Sequence, residues 1–137
     1  MKEKGYHVFL VEDNPDHAIL IREILLQIPK VQQVTLARDG QEALDLLKRM
    51  ASLPQLILLD IKLPRIDGFE LLRILKTDVK LAALPVVAIS TSDIRKDMQR
   101  ALELGALEYL VKPTNFDELH KKLERILEKL QEHTAVK

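Results

Sequence analysis

Short apolar runs rich in branched aliphatic residues alternate along the chain with longer stretches in which apolar residues recur at helical spacing. This alternation is typical of βα units that build a parallel sheet. The apolar runs are nearly continuous, as is typical of strands that helices cover on both faces. The pattern therefore predicts five βα units, with strands at residues 7–11, 34–37, 56–59, 86–89 and 107–111.

The helical stretches carry recognisable ends. Asn14 followed by Pro15 supplies an N-cap and a first-turn proline, and Asp39 with Glu42 resembles a capping box. The last helix has the plainest period, because its apolar residues form a single stripe with charged residues elsewhere. That stripe consists of Phe116, Leu119, Leu123, Ile126 and Leu130.

Length and charge limit the kinds of protein to consider. A chain of 137 residues without a linker or low-complexity segment predicts one domain over residues 1–137, with no separate output domain. Lysine and arginine (21) balance aspartate and glutamate (21), so the basic footprint of a nucleic-acid partner or of an anionic membrane surface is missing. We therefore expect neither nucleic acid nor membrane among its partners.

Cysteine and histidine usage narrows the chemistry further. The absence of cysteine excludes disulfides, a thiol nucleophile and a cysteine-ligated zinc site, and the four histidines have no metal-ligand spacing. The start of the chain lacks the pattern of a signal peptide, and no apolar stretch approaches the roughly 18 residues of a membrane span. We expect a cytoplasmic protein.

Chemically useful side chains follow four of the five predicted strands. In open parallel sheets ligands bind at the carboxyl ends of the strands. Clustered carboxylates are tolerated mainly around a cation, and an all-oxygen ligand set favours Mg²⁺ over zinc. A metal-bound phosphoryl group beside a carboxylate permits in-line attack and an aspartyl phosphate. The residues at these ends are Glu12-Asp13, Asp60, Ser90-Thr91 and Lys112-Pro113.

Each of these residues has an ordinary explanation when it is considered alone. A carboxylate before a helix, such as Asp13 or Asp60, is usually a cap or a solvated loop residue. Ser90 alone is a turn former, Lys112 a surface lysine, and Tyr109 a half-buried strand aromatic. Unrelated caps would not be expected to supply a metal site, a nucleophile and phosphate ligands at one edge. The combination therefore favours phosphoryl chemistry.

Taken in order, these motifs resemble the signature of the receiver domain of two-component response regulators over essentially the whole chain. The resemblance implies a flavodoxin-like (βα)5 fold with strand order 2-1-3-4-5. It also implies that Asp60 is the phosphoacceptor, that Ser90 and Tyr109 are switch residues, and that the Lys112–Pro113 bond is cis. The residues that carry the resemblance are Glu12-Asp13-Asn14, Asp60, Leu63-Pro64, Asp67-Gly68, Ser90, Tyr109 and Lys112-Pro113.

The family pattern also implies ligand sets for a metal and for a phosphoryl group. Mg²⁺ would be held by Glu12, Asp13, Asp60 and the backbone carbonyl of Lys62. The phosphoryl group would be bound by Ser90, Thr91 and Lys112. Lys62, Leu63, Thr91 and Thr114 depart from the commonest residues at their positions, and Lys62 and Thr91 would flank the path of attacking water.

By the same resemblance, the phosphoryl donor is a sensor histidine kinase or a phosphotransfer protein. The downstream partner would bind the surface of the fourth helix, fifth strand and fifth helix, and a homodimer on activation is left open. Asn14-Pro15-Asp16 and the long segment before Pro85 more faintly resemble stand-alone receivers of bacterial phytochrome-type kinases. The charged face proposed for association bears Arg95, Lys96, Arg100, Glu103 and Glu108.

Three alternatives compete with a single-domain, non-enzymatic phosphoacceptor. A magnesium-dependent phosphohydrolase that uses an aspartyl phosphate would need a second acid two residues after the nucleophile, where this chain has Lys62. A receiver-shaped interaction module that is never phosphorylated would have no need of the intact acids and lysine. A receiver fragment of a larger signalling protein remains open. Nucleotide-binding enzymes are disfavoured because the glycine-rich phosphate-binding motifs are absent.

Overall fold

The computed structural model describes residues 5–63, 65–112 and 115–135, without the side chains of residues 131–135. Five parallel strands form one sheet in the order β2-β1-β3-β4-β5, which confirms the predicted flavodoxin-like architecture. The strands are β1 Tyr6–Val11, β2 Val31–Ala37, β3 Leu56–Asp60, β4 Val86–Ser90 and β5 Glu108–Val111.

Two of the five helices of the described residues begin at the caps that the sequence predicts, Asn14 and Asp39. The Asn14 side chain accepts hydrogen bonds from the amides of Asp16 and His17, and the Asp39 side chain accepts one from the amide of Glu42. None of the five helices of the described residues is both long and apolar enough to cross a bilayer. They are α1 Pro15–Gln27, α2 Gly40–Arg49, α3 Gly68–Thr77, α4 Arg95–Glu103 and α5 Phe116–Ala135.

The sheet separates two apolar cores, because successive strand side chains point to opposite faces. In β3, Ile57 and Leu59 face α2, α3 and α4, whereas Leu56 and Leu58 face α1 and α5. All four side chains are fully buried. This two-sided burial is why the strands have continuous apolar sequences rather than alternating ones.

Polar residues extend three strands beyond their predicted bounds. β2 begins at Val31 rather than at residue 34, and its pairing with β1 contains a register shift opposite the exposed Gln32 and Gln33. β3 and β4 each include one further residue, Asp60 and Ser90, as their last strand position. Hydrophobicity misses these residues because a strand is held by backbone pairing that does not depend on side-chain polarity.

The strand register gathers the polar strand ends. Val11 of β1 is level with Leu59 of β3, so Glu12 and Asp60 are the next residues on neighbouring strands. Ser90 of β4 is level with Val111 of β5, so Lys112 follows directly beyond it. The four chemically useful strand ends therefore share one edge of the sheet.

Candidate functional site

Three carboxylates form a cluster at the carboxyl edge of the sheet. Oxygen atoms of Glu12, Asp13 and Asp60 all lie within 4.8 Å of one another. Glu12 and Asp60 are buried, with exposed fractions of 1% and 4%, whereas Asp13 is exposed to solvent. An all-oxygen cluster that is open on one side fits a hard cation that keeps part of its water shell.

Asp60 is held at both carboxylate oxygens. The amide of Lys62 donates to Oδ1 at 2.8 Å, and the ammonium of Lys112 donates to Oδ2 at 3.0 Å. Both donors stabilise the ionised carboxylate. Both oxygens of Asp60 are therefore held in place at the end of β3.

Lys112 is the cation of the site, although its side chain is only 9% exposed. Its ammonium lies 2.6 Å from Glu12 Oε1, 3.0 Å from Asp60 Oδ2 and 3.0 Å from His17 Nδ1. The contact with His17 is absent from the sequence expectations, which considered histidines only as metal ligands. Three carboxylates against one ammonium leave the site anionic, so it has capacity for a second cation.

Burial makes the ionised form of Glu12 costly. Burial, together with its hydrogen bond to Asp60, raises the pKa of Glu12 to about 7, and Lys112 opposes this rise only in part. The amide of Asn14 donates to Glu12 Oε2 at 3.2 Å, at the start of α1. Glu12 therefore titrates near physiological pH in the absence of a metal.

Gly68 is required by the close approach of α3 to the end of β3. Its amide donates to the carbonyl of Ile61 at 2.9 Å. A Cβ at Gly68 would collide with the carbonyl oxygen of Asp60 and with the backbone of Ile61. The Asp67-Gly68 pair thus combines a helix cap, through the hydrogen bond from the Glu70 amide to Asp67, with a packing requirement beside Asp60.

Ser90 and Tyr109 both bind the backbone of Ser92. Ser90 is fully buried, and its Oγ accepts a hydrogen bond from the Ser92 amide at 3.1 Å. The half-buried Tyr109 donates its hydroxyl to the Ser92 carbonyl at 2.9 Å. Thr91, between the two serines, is exposed. The two predicted switch residues therefore bind the two backbone polar groups of one residue of the β4–α4 loop, the amide and the carbonyl of Ser92.

Lys62 links the end of β3 to α4. Its ammonium lies 3.7 Å from Asp97 Oδ2, which also accepts the Ser92 hydroxyl at 2.8 Å. This connection is absent from the sequence expectations. The Lys112–Pro113 bond, predicted to be cis, and Thr114 lie outside the described residues.

Residues 8–124 match the family described as the response regulator receiver domain. The chain belongs to this receiver domain family. The receiver is 38% identical over 130 residues to FilR2 of Methanothrix harundinacea, named a probable methanogenesis regulatory protein. That match covers 92% of this chain and 84% of FilR2.

Two solved receiver structures share the fold closely. The phosphorylated cyanobacterial phytochrome response regulator RcpA has a TM-score of 0.81 and 37% identity, and the match covers 89% of this chain and 91% of RcpA. The Mn²⁺-bound form of response regulator Rcp1 has a TM-score of 0.77 and 32% identity, with coverages of 88% and 91%. Rcp1 from Synechocystis also matches by sequence. These matches confirm the resemblance to stand-alone receivers whose names associate them with phytochromes.

Other relatives are longer proteins. A protein-glutamate methylesterase/protein-glutamine glutaminase of Myxococcus xanthus is 39% identical over 116 residues, which is 31% of its length. The receiver described here thus spans about a third of that relative. The family is used both in proteins of this size and within multidomain chains.

Proposed function

We propose that this receiver domain accepts a phosphoryl group on Asp60 in a Mg²⁺-dependent reaction and passes the signal to a protein partner. The observation that carries the proposal is the environment of Asp60, a buried carboxylate beside Glu12, Asp13 and the ammonium of Lys112. A site with excess carboxylate is suited to gain a cation first and an anion afterwards.

In the proposed reaction a carboxylate oxygen of Asp60 attacks the phosphorus of a phosphohistidine. A P–O bond forms while the P–N bond breaks, and the leaving imidazole takes a proton from solvent. With acetyl phosphate as donor, a P–O bond breaks and acetate leaves. Phosphoryl transfer depends mainly on positioning and charge stabilisation, which the two donors to Asp60 support.

Three residues are proposed to bind the transferred group. Lys112 neutralises phosphoryl charge from its buried position beside Asp60. The hydroxyls of Ser90 and Thr91 donate to phosphoryl oxygens from the end of β4. For Ser90 the proposal includes a movement toward the phosphoryl group that breaks the hydrogen bond which its Oγ now accepts from the Ser92 amide.

The proposed cofactor is Mg²⁺, held by Glu12, Asp13, Asp60 and the backbone carbonyl of Lys62. The clustered carboxylate oxygens are the hard ligands that Mg²⁺ prefers. When bound, Mg²⁺ neutralises charge on the phosphoryl oxygens. The Mn²⁺-bound form of Rcp1, a receiver of similar fold, supports a divalent cation.

Ser90 and Tyr109 are proposed to act together as the switch. Both bind the backbone of Ser92, so movement of Ser90 toward a phosphoryl group releases the Ser92 amide while Tyr109 still contacts the Ser92 carbonyl. The Ser92 carbonyl, which accepts the Tyr109 hydroxyl, then shifts with the loop. Such a two-state element converts a local change of charge into a change of surface.

The proposed phosphoryl donor is a sensor histidine kinase or a phosphotransfer protein. Similarity to RcpA, named a phytochrome response regulator, favours a phytochrome-type kinase. The proposed output surface is α4-β5-α5, with self-association on activation as a second use. Ile94, Leu102 and Leu107 are each about half exposed in this region and add apolar area to the charged face.

That charged face is partly engaged within the molecule. Glu108 lies 3.3 Å from the ammonium of Lys129 of α5, and the Arg100 guanidinium lies 4.2 Å from the centre of the Phe69 ring. Arg95 and Lys96 are exposed at the start of α4. They are therefore proposed to contribute more than Arg100 or Glu108 to partner choice, which rim charges influence chiefly through on-rate.

The decisive experiment exposes the protein to acetyl phosphate and Mg²⁺ and measures intact mass. We expect one added phosphoryl group on the wild type and none on Asp60→Asn, because the amide is a far poorer nucleophile. Asp67→Asn is the matched control, since asparagine preserves the helix cap while removing the same charge. Equal labelling of Asp60→Asn and wild type on the same peptide would make Asp60 the wrong acceptor. No labelling of wild type would favour an interaction module that is not phosphorylated.

A further inference from the structure

The ammonium of Lys112 has a full set of three partners. Besides Glu12 and Asp60, it contacts Nδ1 of His17 at 3.0 Å. An ammonium offers three N–H donors and no acceptor. His17 Nδ1 must therefore be the acceptor in this contact, with the ring proton on Nε2.

The three partners of Lys112 differ in their other duties. Glu12 and Asp60 belong to the carboxylate cluster, so their oxygens would be shared between Lys112 and the proposed Mg²⁺. His17 lies outside this cluster and offers Lys112 an uncharged acceptor. Its contact with Lys112 consequently does not compete with occupation of the carboxylates.

Backbone contacts at the start of α1 fix the position from which the His17 side chain extends. His17 is in the first turn of α1, and its amide donates to Asn14 Oδ1 at 3.1 Å. The same residue, Asn14, donates its own amide to Glu12. The α1 N-terminus thus ties the position of His17 to the carboxylate that shares Lys112 with it.

We propose that His17 is a positioning residue for phosphoryl transfer, which holds the Lys112 ammonium beside Asp60 through Nδ1. This inference rests on the proposed function of Asp60. Its expected signature is a slower transfer step at saturating Mg²⁺ with unchanged affinity for Mg²⁺. A merely structural role would change both or neither.

Three variants separate the two ring nitrogens. In His17→Asn the amide oxygen can stand where Nδ1 stands, whereas in His17→Gln the amide reaches the position of Nε2. His17→Ala offers no acceptor. We expect labelling by acetyl phosphate to slow about tenfold in His17→Ala and His17→Gln, and to stay within about twofold of wild type in His17→Asn, as for loss of one hydrogen bond to a charged group.

A second measurement does not depend on phosphorylation. In metal-free protein, the ¹⁵N-labelled ammonium of Lys112 is followed by NMR, because a fully bonded ammonium exchanges its protons slowly with water. We expect its signal in wild type and His17→Asn, and its loss in His17→Ala and His17→Gln. His120→Ala, which removes a histidine of α5 that faces Glu124, is the matched control and should match wild type.

The outcomes distinguish this inference from the proposed function. If wild type takes up no phosphoryl group, the proposed function fails, and the inference that depends on it is overturned even where the NMR signal shows the contact. If wild type is labelled but His17→Ala reacts equally fast, or Mg²⁺ affinity falls in step with the rate, only the role of His17 is overturned. Equal behaviour of His17→Asn and His17→Gln also overturns it.

Discussion

Tyr109 and Ser92 are joined by a hydrogen bond of 2.9 Å from the phenolic hydroxyl to the backbone carbonyl. The ring of Tyr109 packs against the core that faces α2, α3 and α4. One side chain therefore couples the packing of that core to the conformation of the β4–α4 loop. This hydrogen bond holds the loop in one conformation, and a switch would have to change that conformation.

Tyr109→Phe should loosen this loop without abolishing phosphorylation. The change removes only the hydroxyl, so the ring still packs while the Ser92 carbonyl loses its partner. We expect faster amide hydrogen exchange in residues 91–94. Tyr6→Phe, at the start of β1, is the control. If amide hydrogen exchange is the same in Tyr109→Phe and wild type, this hydrogen bond does not take part in the switch.

Lys112→Gln should destabilise the metal-free protein by about 3–5 kcal/mol, because two buried carboxylates lose their counter-charge. Mg²⁺ should recover more stability in the variant than in wild type, since it replaces the missing cation. Urea unfolding with EDTA and with Mg²⁺ measures both effects. Lys129→Gln breaks an exposed pair with Glu108 and should cost at most about 0.5 kcal/mol. Similar losses in both variants would contradict the importance of burial.

Glu12 should make the metal-free protein less stable as pH rises. Its pKa is about 7 in the fold against 4.5 ordinarily, so between these values the folded state binds more protons than the unfolded state. The free energy of unfolding therefore falls as pH rises through this window. Urea unfolding in EDTA at about pH 5 and about pH 8 should show a flatter dependence in Glu12→Gln than in wild type. If the free energy of unfolding depends on pH equally in Glu12→Gln and wild type, the pKa of Glu12 is not raised.

Gly68→Ala should destabilise the fold by about 2 kcal/mol, because the new methyl forces the backbone of Asp60 and Ile61 to move. Slower uptake of a phosphoryl group should accompany the loss. Gly40→Ala is a closely matched control, since Gly40 also follows an aspartate cap. Its new Cβ would lie 3.1 Å from the Ile66 side chain, which can shift more readily than backbone. Thermal unfolding of both variants tests whether Gly68→Ala is the more destabilising. An equal loss of stability in Gly68→Ala and Gly40→Ala would contradict this prediction.

The fold and the carboxylate cluster were predictable because both follow from backbone periodicity. Apolar runs locate strands, parallel strands bring their carboxyl ends together, and Glu12, Asp13 and Asp60 stand at those ends. The strand order, by contrast, came from family resemblance. Periodicity within a strand carries no information on which strand lies beside it.

The contacts of His17 and Lys62 could not be predicted, because they join elements far apart in the sequence. His17 lies 95 residues from Lys112, and its position in the first turn of α1 was the only sequence signal. Lys62 and Asp97 meet only through the relative placement of the β3–α3 loop and α4. The sequence placed Arg100 and Glu108 on the charged face, but it gave no sign that each also has a partner within the molecule, Phe69 and Lys129.

The division of the interior into two cores has a consequence for how such a protein can diversify. Tyr109 packs against the core covered by α2, α3 and α4, whereas α1 and α5 cover the core on the opposite face of the sheet. Substitutions in different cores that do not contact each other through the sheet contribute almost independently to stability. Core substitutions on one side of the sheet can thus accumulate while the core on the opposite side keeps its packing.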